Sequence, residues 1–205
     1  MRNTKRILSA LLSASVLIWS CESANKNVRQ DEEPLVKASS TKEEMIDHGR
    51  LLVTAGGCND CHSPKSMGPY GPAVDSAKAL SGHPASMPTP PVIESALKPG
   101  GWVLMGPDVT SFVGPWGISY AANLTPDSAT GIGAWTEGEF IQTLRKGKHL
   151  GADNGRPLLP PMPWPGLARL SDQDLKSIFA YLQTLTPVSN RVPGPVSPDK
   201  AVVAK

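Results

Sequence analysis

Apolar residues along this chain fall into three helical stripes, separated by a long stretch with no period. Met45, Ile46, Gly49, Leu52 and Val53 recur at helical spacing, with Ser40 or Thr41 followed by Lys42-Glu43-Glu44 as a helix start. This first helix is expected to end at Gly56-Gly57, and Gly49 sits mid-face, where a missing side chain lets another helix cross closely. Phe140, Ile141 and Leu144 form a shorter stripe, opened by Thr136 and Glu139 as a capping box and stopped at Gly147. Leu175, Ile178, Phe179, Leu182 and Leu185 form the strongest stripe, capped by Ser171 and Asp174 and ended by Pro187.

Between the first two stripes, residues 63–122 carry ten prolines and eight glycines, so no long helix fits. Structureless loops of about 60 residues are uncommon in compact domains and are functional or disordered. Trp102, Phe112, Trp116 and Tyr120 favour order, and the expectation is a packed loop layer with short extended pieces. Asn123-Leu124-Thr125-Pro126-Asp127 reads as a turn. Arg145, Lys146, Lys148 and His149 gather at the C-terminal end of the second helix, where the helix dipole favours cations; a docking patch is the second reading. Leu158 to Pro165, with four prolines, reads as extended and non-helical.

The N-terminus reads as an address. Arg2, Lys5 and Arg6 precede a mostly apolar run from Ile7 to Trp19, too short and serine-rich for a comfortable membrane span, so residues 1–20 are expected to be a signal peptide. Ser20-Cys21 resembles the lipobox of bacterial lipoproteins, which implies lipidation of Cys21 and attachment to the periplasmic side of a bacterial membrane; Trp19 departs from the small residue preferred there. Residues 21–39 are polar and read as a flexible tether. One domain over 40–188 and a loose tail over 189–205 complete the expected plan.

Composition changes this picture little. Of 205 residues 40% are hydrophobic, and the net charge is +2, which excludes a wholly disordered chain and a nucleic-acid binder. The 21 prolines and 19 glycines leave little regular structure, so a bound apolar group would supply core that the chain lacks.

Cys58-Asn59-Asp60-Cys61-His62 names that group. Two cysteines with two residues between them each add to a vinyl group of a haem, and the next histidine falls under the iron as an axial ligand. A four-thiolate zinc site would need a second CxxC, whereas the remaining cysteine is Cys21. A thioredoxin-like pair would follow a buried strand, whereas a helix precedes Cys58.

The second axial ligand has several candidates: Met45, Met67, Met87, Met105, Met162, His48, His83 and His149. Met67 is too near His62 in the chain to reach the opposite face easily, and Met45 belongs to the first stripe. Met162 combines long separation with a rigid proline-flanked segment. Trp102, Trp116, Trp135 and Trp164 offer indole donors for haem carboxylates, with ordinary packing as the simpler role of each.

In order, the chain shows Leu52 to His62, Asn123 to Asp127, Gly131 to Thr136 and Pro160 to Trp164, with the helices described above. As a set these resemble single-haem class I c-type cytochromes, and are similar to domains in the cytochrome c subunits of alcohol and sugar-acid dehydrogenases. The resemblance implies an all-α, cytochrome c-like fold with few helices around one covalent haem c and long Pro/Gly-rich loops. It implies thioethers at Cys58 and Cys61, with His62 and Met162 as axial ligands. It also implies an electron carrier rather than an enzyme, serving redox protein partners such as a dehydrogenase or a terminal oxidase. Those subunits often carry several haems, whereas this chain has one CxxCH. A peroxidase or gas sensor with an open or labile sixth site is the alternative, and a haem-free thiol pair is the other rival.

Overall fold

The computed structural model describes residues 41–201. The expected signal peptide over 1–20, Cys21 and the tether over 21–39 lie outside the described residues.

The three stripes fold as three helices. The first, α1, spans Lys42–Ala55, with Thr41 and Glu44 as a reciprocal capping box. The last long helix, α5 (Asp172–Leu182), is capped the same way by Ser171 and Asp174. These two helices cross at Gly49, where a Cβ would stand 1.8 Å from the Ser177 carbonyl oxygen. Glycine is therefore the residue that lets the two backbones touch. His48 Nε2 and Asp174 Oδ1, 2.7 Å apart, tie the same pair of helices at the surface. The middle helix, α3 (Glu137–Lys146), opens on the Thr136–Glu139 box and closes at Gly147. Val53 from α1, Phe140, Ile141 and Leu144 from α3, and Leu175, Ile178 and Leu182 from α5 join Leu80 and Ile132 in one buried core. Each helix is amphipathic and short, so its stability comes from this shared face.

Short helices complete the frame. Gly57, at φ 65° in the left-handed region, turns the chain from α1 into α2 (Cys58–His62), a conformation that glycine adopts without strain. The one-turn α4 (Trp164–Leu167) corrects the expectation that Leu158 to Pro165 is wholly non-helical. Proline lacks only an amide that the first turn leaves unpaired anyway, so Pro165 fits there. Upstream of it, residues 159–162 form a turn, with a cis bond between Pro160 and Pro161 and the Met162 amide donating to the Leu159 carbonyl.

The insertion corrects the all-α expectation. A hairpin pairs β1 (Lys65–Gly68) with β2 (Gly71–Val74), and a three-stranded antiparallel sheet runs β3 (Leu104–Met105), β4 (Ser111–Gly114), β5 (Gly117–Tyr120). Glycine and proline density forbids long helices here but suits tight turns. Phe112, Val113 and Ile118 supply the aromatic and β-branched side chains that pleated strands favour. Single 3-10 turns at Ser76–Lys78 and Glu94–Leu97 fill the rest.

The segment after Pro187, expected to be loose, is docked as far as Ala201. Asn190 Nδ2 donates to the carbonyls of Ser81 and His83, and its Oδ1 accepts from the Ala85 amide. Val196 exchanges both main-chain hydrogen bonds with Ile118, and Ala201 in α6 (Pro198–Ala201) is buried beside Leu97 and Ile118. A second small core thus joins the sheet to the C-terminal segment.

Candidate cofactor site

Cys58, Cys61 and His62 stand on α2, a single turn fixed between the end of α1 and the insertion. Both cysteines are unpaired and partly buried. Burial pushes both thiols up in pKa, more than the cation of Lys65 near Cys61 offsets. A dithiol redox pair depends on the opposite shift, toward thiolate, so this environment disfavours it. Among the described residues no group of three or more His, Cys, Asp and Glu side chains is placed to hold a bare metal ion.

His62 is buried, and its orientation is set by a main-chain acceptor. Nδ1 lies 2.7 Å from the Ala122 carbonyl oxygen, so Nδ1 carries the proton and donates it. Nε2 is left as the lone-pair nitrogen, and the hydrogen bond of the ring is the one at Nδ1. Burial lowers the imidazole's pKa, against a smaller opposing effect of the Ala122 carbonyl, and so favours the neutral, ligating form. The His62 carbonyl in turn accepts from the Gly82 amide at 2.7 Å. The insertion therefore grips His62 at both its main chain and its ring. Sequence reasoning missed both contacts, because a main-chain acceptor 60 residues away leaves no residue-type signature.

Met162 is partly buried against the same core that Cys58 packs on, together with Leu52, Leu124, Trp135 and Leu158. All are partly buried apolar side chains on that core, the kind of lining that a large hydrophobic ring system requires. Met67 and Met105 differ, at 78% and 63% exposed, while Met45 and Met87 are partly buried. His48 is paired to Asp174, and His149 packs edge-on to Trp135 at 5.3 Å between ring centroids. Trp102 is 84% exposed and Trp116 donates to Ser119 Oγ, which leaves Trp135 and Trp164 of the four indoles named from sequence.

The basic group at the end of α3 is largely neutralised. Arg145 bonds the Ala168 carbonyl and Asp172, Lys146 pairs with Asp153, and Lys148 donates to the Asp153 carbonyl. Arg156, which shares a main-chain hydrogen bond with His149, has no carboxylate partner among the described residues. A cleft of about 440 Å³ between residues 90–93 and β3–β4 is apolar and includes none of Cys58, Cys61, His62 and Met162.

A thiol pair beside a tautomer-fixed imidazole, on helices that leave an apolar face half covered, suits attachment of a haem. The chain belongs to the cytochrome c family, whose profile matches residues 46–186. Membership implies a covalently bound haem c. The relatives include dehydrogenase cytochrome subunits. The chain is 30% identical over 180 residues to the fructose dehydrogenase cytochrome subunit of Gluconobacter japonicus, covering 87% of this chain and 28% of that one. It is 29% identical over 161 residues to the gluconate 2-dehydrogenase cytochrome c subunit of Pantoea cypripedii, covering 76% and 28%. Against a nicotinate dehydrogenase subunit from Pseudomonas putida the identity is 30% over 149 residues, covering 73% and 9%. The chain thus spans less than a third of the length of each of these relatives.

Proposed function

We propose that this protein is a single-haem c-type cytochrome that carries single electrons between extracytoplasmic redox partners, with a dehydrogenase as donor. The observation that carries this reading is the pairing of unbridged Cys58 and Cys61 with a neutral, Nδ1-anchored His62. Cys58 and Cys61 hold the haem through thioethers, His62 offers Nε2, and Met162 offers its sulfur from the turn before α4. When bound, the haem supplies a one-electron ferric–ferrous couple, which a methionine ligand places at higher potential than two histidines would. The protein's part is to keep both ligands in place, so that electron transfer needs little rearrangement. The Ala122 carbonyl and the Gly82 amide fix one side, and the core beneath Met162 fixes the other. Arg156 and the indoles of Trp135 and Trp164 are the groups offered to the haem carboxylates.

The relatives' names support a dehydrogenase as partner and an electron-carrying rather than catalytic role, and none of them supports the peroxidase or gas-sensor alternative. The N-terminal pattern of Arg2, Lys5 and Arg6, the run to Trp19 and Ser20-Cys21 supports export and lipid attachment at Cys21. Among the described residues no helix is long and apolar enough to cross a membrane.

The test is to express the chain with a c-type haem maturation system and count haem. One covalent haem per chain, retained in a denaturing gel and lost in the Cys58→Ala/Cys61→Ala double variant, is expected. Haem that washes off the wild type under denaturation would refute the reading.

A further inference from the structure

The most enclosed polar cluster outside the cofactor site lies in the insertion, around His83. His83 is fully buried, and its Nδ1 stands 2.7 Å from Thr110 Oγ1. Thr110 Oγ1 donates to Asp108 Oδ2 at 2.7 Å, and Thr110 and Asp108 are both buried. The single hydroxyl proton is committed to the carboxylate, so His83 Nδ1 must be the donor and Nε2 the bare lone pair. That Nε2 is buried and forms no hydrogen bond of full geometry, with the Met87 main chain as the polar group beside the ring. An unmatched acceptor in a protein interior is unfavourable, and a proton would relieve it.

The surroundings keep the ring neutral at rest while leaving it partners for a proton. Burial dominates and holds the imidazole's pKa below the ordinary histidine value, and the Asp108 carboxylate and the Met87 main chain offset only part of that. The Tyr120 ring lies 4.8 Å from the imidazole, with its hydroxyl 2.7 Å from Thr89 Oγ1. Asn190 Nδ2 donates to the His83 carbonyl, and Lys65 Nζ to the Asp108 carbonyl. The charged neighbours are thus one carboxylate, joined to the ring through a hydroxyl, and one ammonium, engaged with main-chain oxygens.

His83 is also held by the residues that hold His62. Its amide donates to the Ala121 carbonyl at 2.9 Å, the next carbonyl, Ala122, accepts from His62 Nδ1, and Gly82 donates to the His62 carbonyl. A buried proton acceptor therefore stands behind the imidazole proposed as the axial ligand.

We propose that His83 is a redox-linked proton site: Nε2 takes up one proton when an electron enters the cofactor site and releases it when the electron leaves. The electron comes from a reduced partner protein and the proton from water. The bond that forms is Nε2–H, and the joint charge of the cofactor and His83 is conserved. This rests on the reading of Cys58, Cys61 and His62 as a haem site. An added electron favours a nearby cation, so His83 holds its proton more tightly in the reduced state. Between the two proton affinities, the midpoint potential must therefore fall as pH rises.

The experiment is a spectroelectrochemical titration of the haem-loaded chain from about pH 5 to pH 9, a window bracketing ordinary histidine. A slope approaching tenfold in the redox equilibrium per pH unit, about 59 mV for one electron, is expected in the wild type. His83→Asn keeps a donor for Thr110 but cannot titrate, and should flatten the slope. Asp108→Asn removes the supporting carboxylate and should move the bend to lower pH. A flat wild-type profile with an intact low-spin spectrum overturns the proposal, as does an undiminished slope in His83→Asn. Should His83→Asn fail to fold, an unmoved bend in Asp108→Asn overturns it instead. Absence of covalent haem in the wild type would defeat the cytochrome reading itself, and the denaturing gel shows that before any titration.

Discussion

Gly49→Ala sets two effects of opposite sign against each other. Helix propensity alone predicts that alanine in the middle of α1 stabilises by about 1 kcal/mol. The structure predicts the reverse. The new Cβ would lie 1.8 Å from the Ser177 carbonyl oxygen and 2.9 Å from Tyr181 Cβ, on the backbone and side chain of α5. Ordinary contact begins near 3.4 Å, so α1 and α5 must separate by more than an ångström along a backbone that cannot rotate away. That separation loosens Val53 against Leu175, Ile178 and Leu182, all in the same core. Overpacking costs about 3 kcal/mol when the neighbour is rigid. Set against the propensity gain, the net loss is about 2 kcal/mol, or about 4–8 °C in Tm for a domain of this size. Thermal unfolding followed by far-UV circular dichroism measures it. A Tm equal to or above wild type would refute the close crossing of α1 and α5.

Three further outcomes follow from particular contacts. Cys58→Ala and Cys61→Ala taken singly should each leave one thioether and a haem still retained in a denaturing gel, with the reduced absorption band shifted by the extra vinyl group. Asp174 is held below the usual carboxylate range by hydrogen bonds from His48 and Ser171, so its contribution is present above the ordinary aspartate pKa and is lost as pH falls through the folded value. The drop in Tm below about pH 4 should therefore be shallower in Asp174→Asn than in wild type when both are scanned by calorimetry. Asn190→Ala strips partners from the Ser81 and His83 carbonyls and the Ala85 amide, and should cost about 2 kcal/mol in urea unfolding, with faster hydrogen exchange in residues 81–85.

The helices were legible because each carried its own punctuation. Thr136 with Glu139 forms the capping box read from its spacing, the helix starts read at Thr41 and at Ser171 with Asp174 close into the same reciprocal pairs, and Gly49 lies at the crossing. The insertion was legible only as something that could not be helical. Its strands are four residues or fewer, too short for an alternating pattern to stand out among prolines and glycines. The docked C-terminal segment was missed for a related reason. Its order comes from scattered contacts, among them the Asn190 side chain, the bridge from Val196 to Ile118 and the burial of Ala201, none of which has a period. In the site, CxxCH was plain from residue types. The contacts that orient His62 come from the main chain of Gly82 and Ala122, which any sequence could supply.

A low-spin haem c held by His62 and Met162 is what the proposed electron transfer depends on. Its test is the visible absorption spectrum of the haem-loaded chain, oxidised and reduced, for wild type and Met162→Ala. Wild type should show a sharp reduced alpha band and a weak methionine-to-ferric-iron charge-transfer band. Met162→Ala should lose the weak band and bind carbon monoxide while keeping its haem. A high-spin wild-type spectrum, or a charge-transfer band that survives in Met162→Ala, would contradict that ligation.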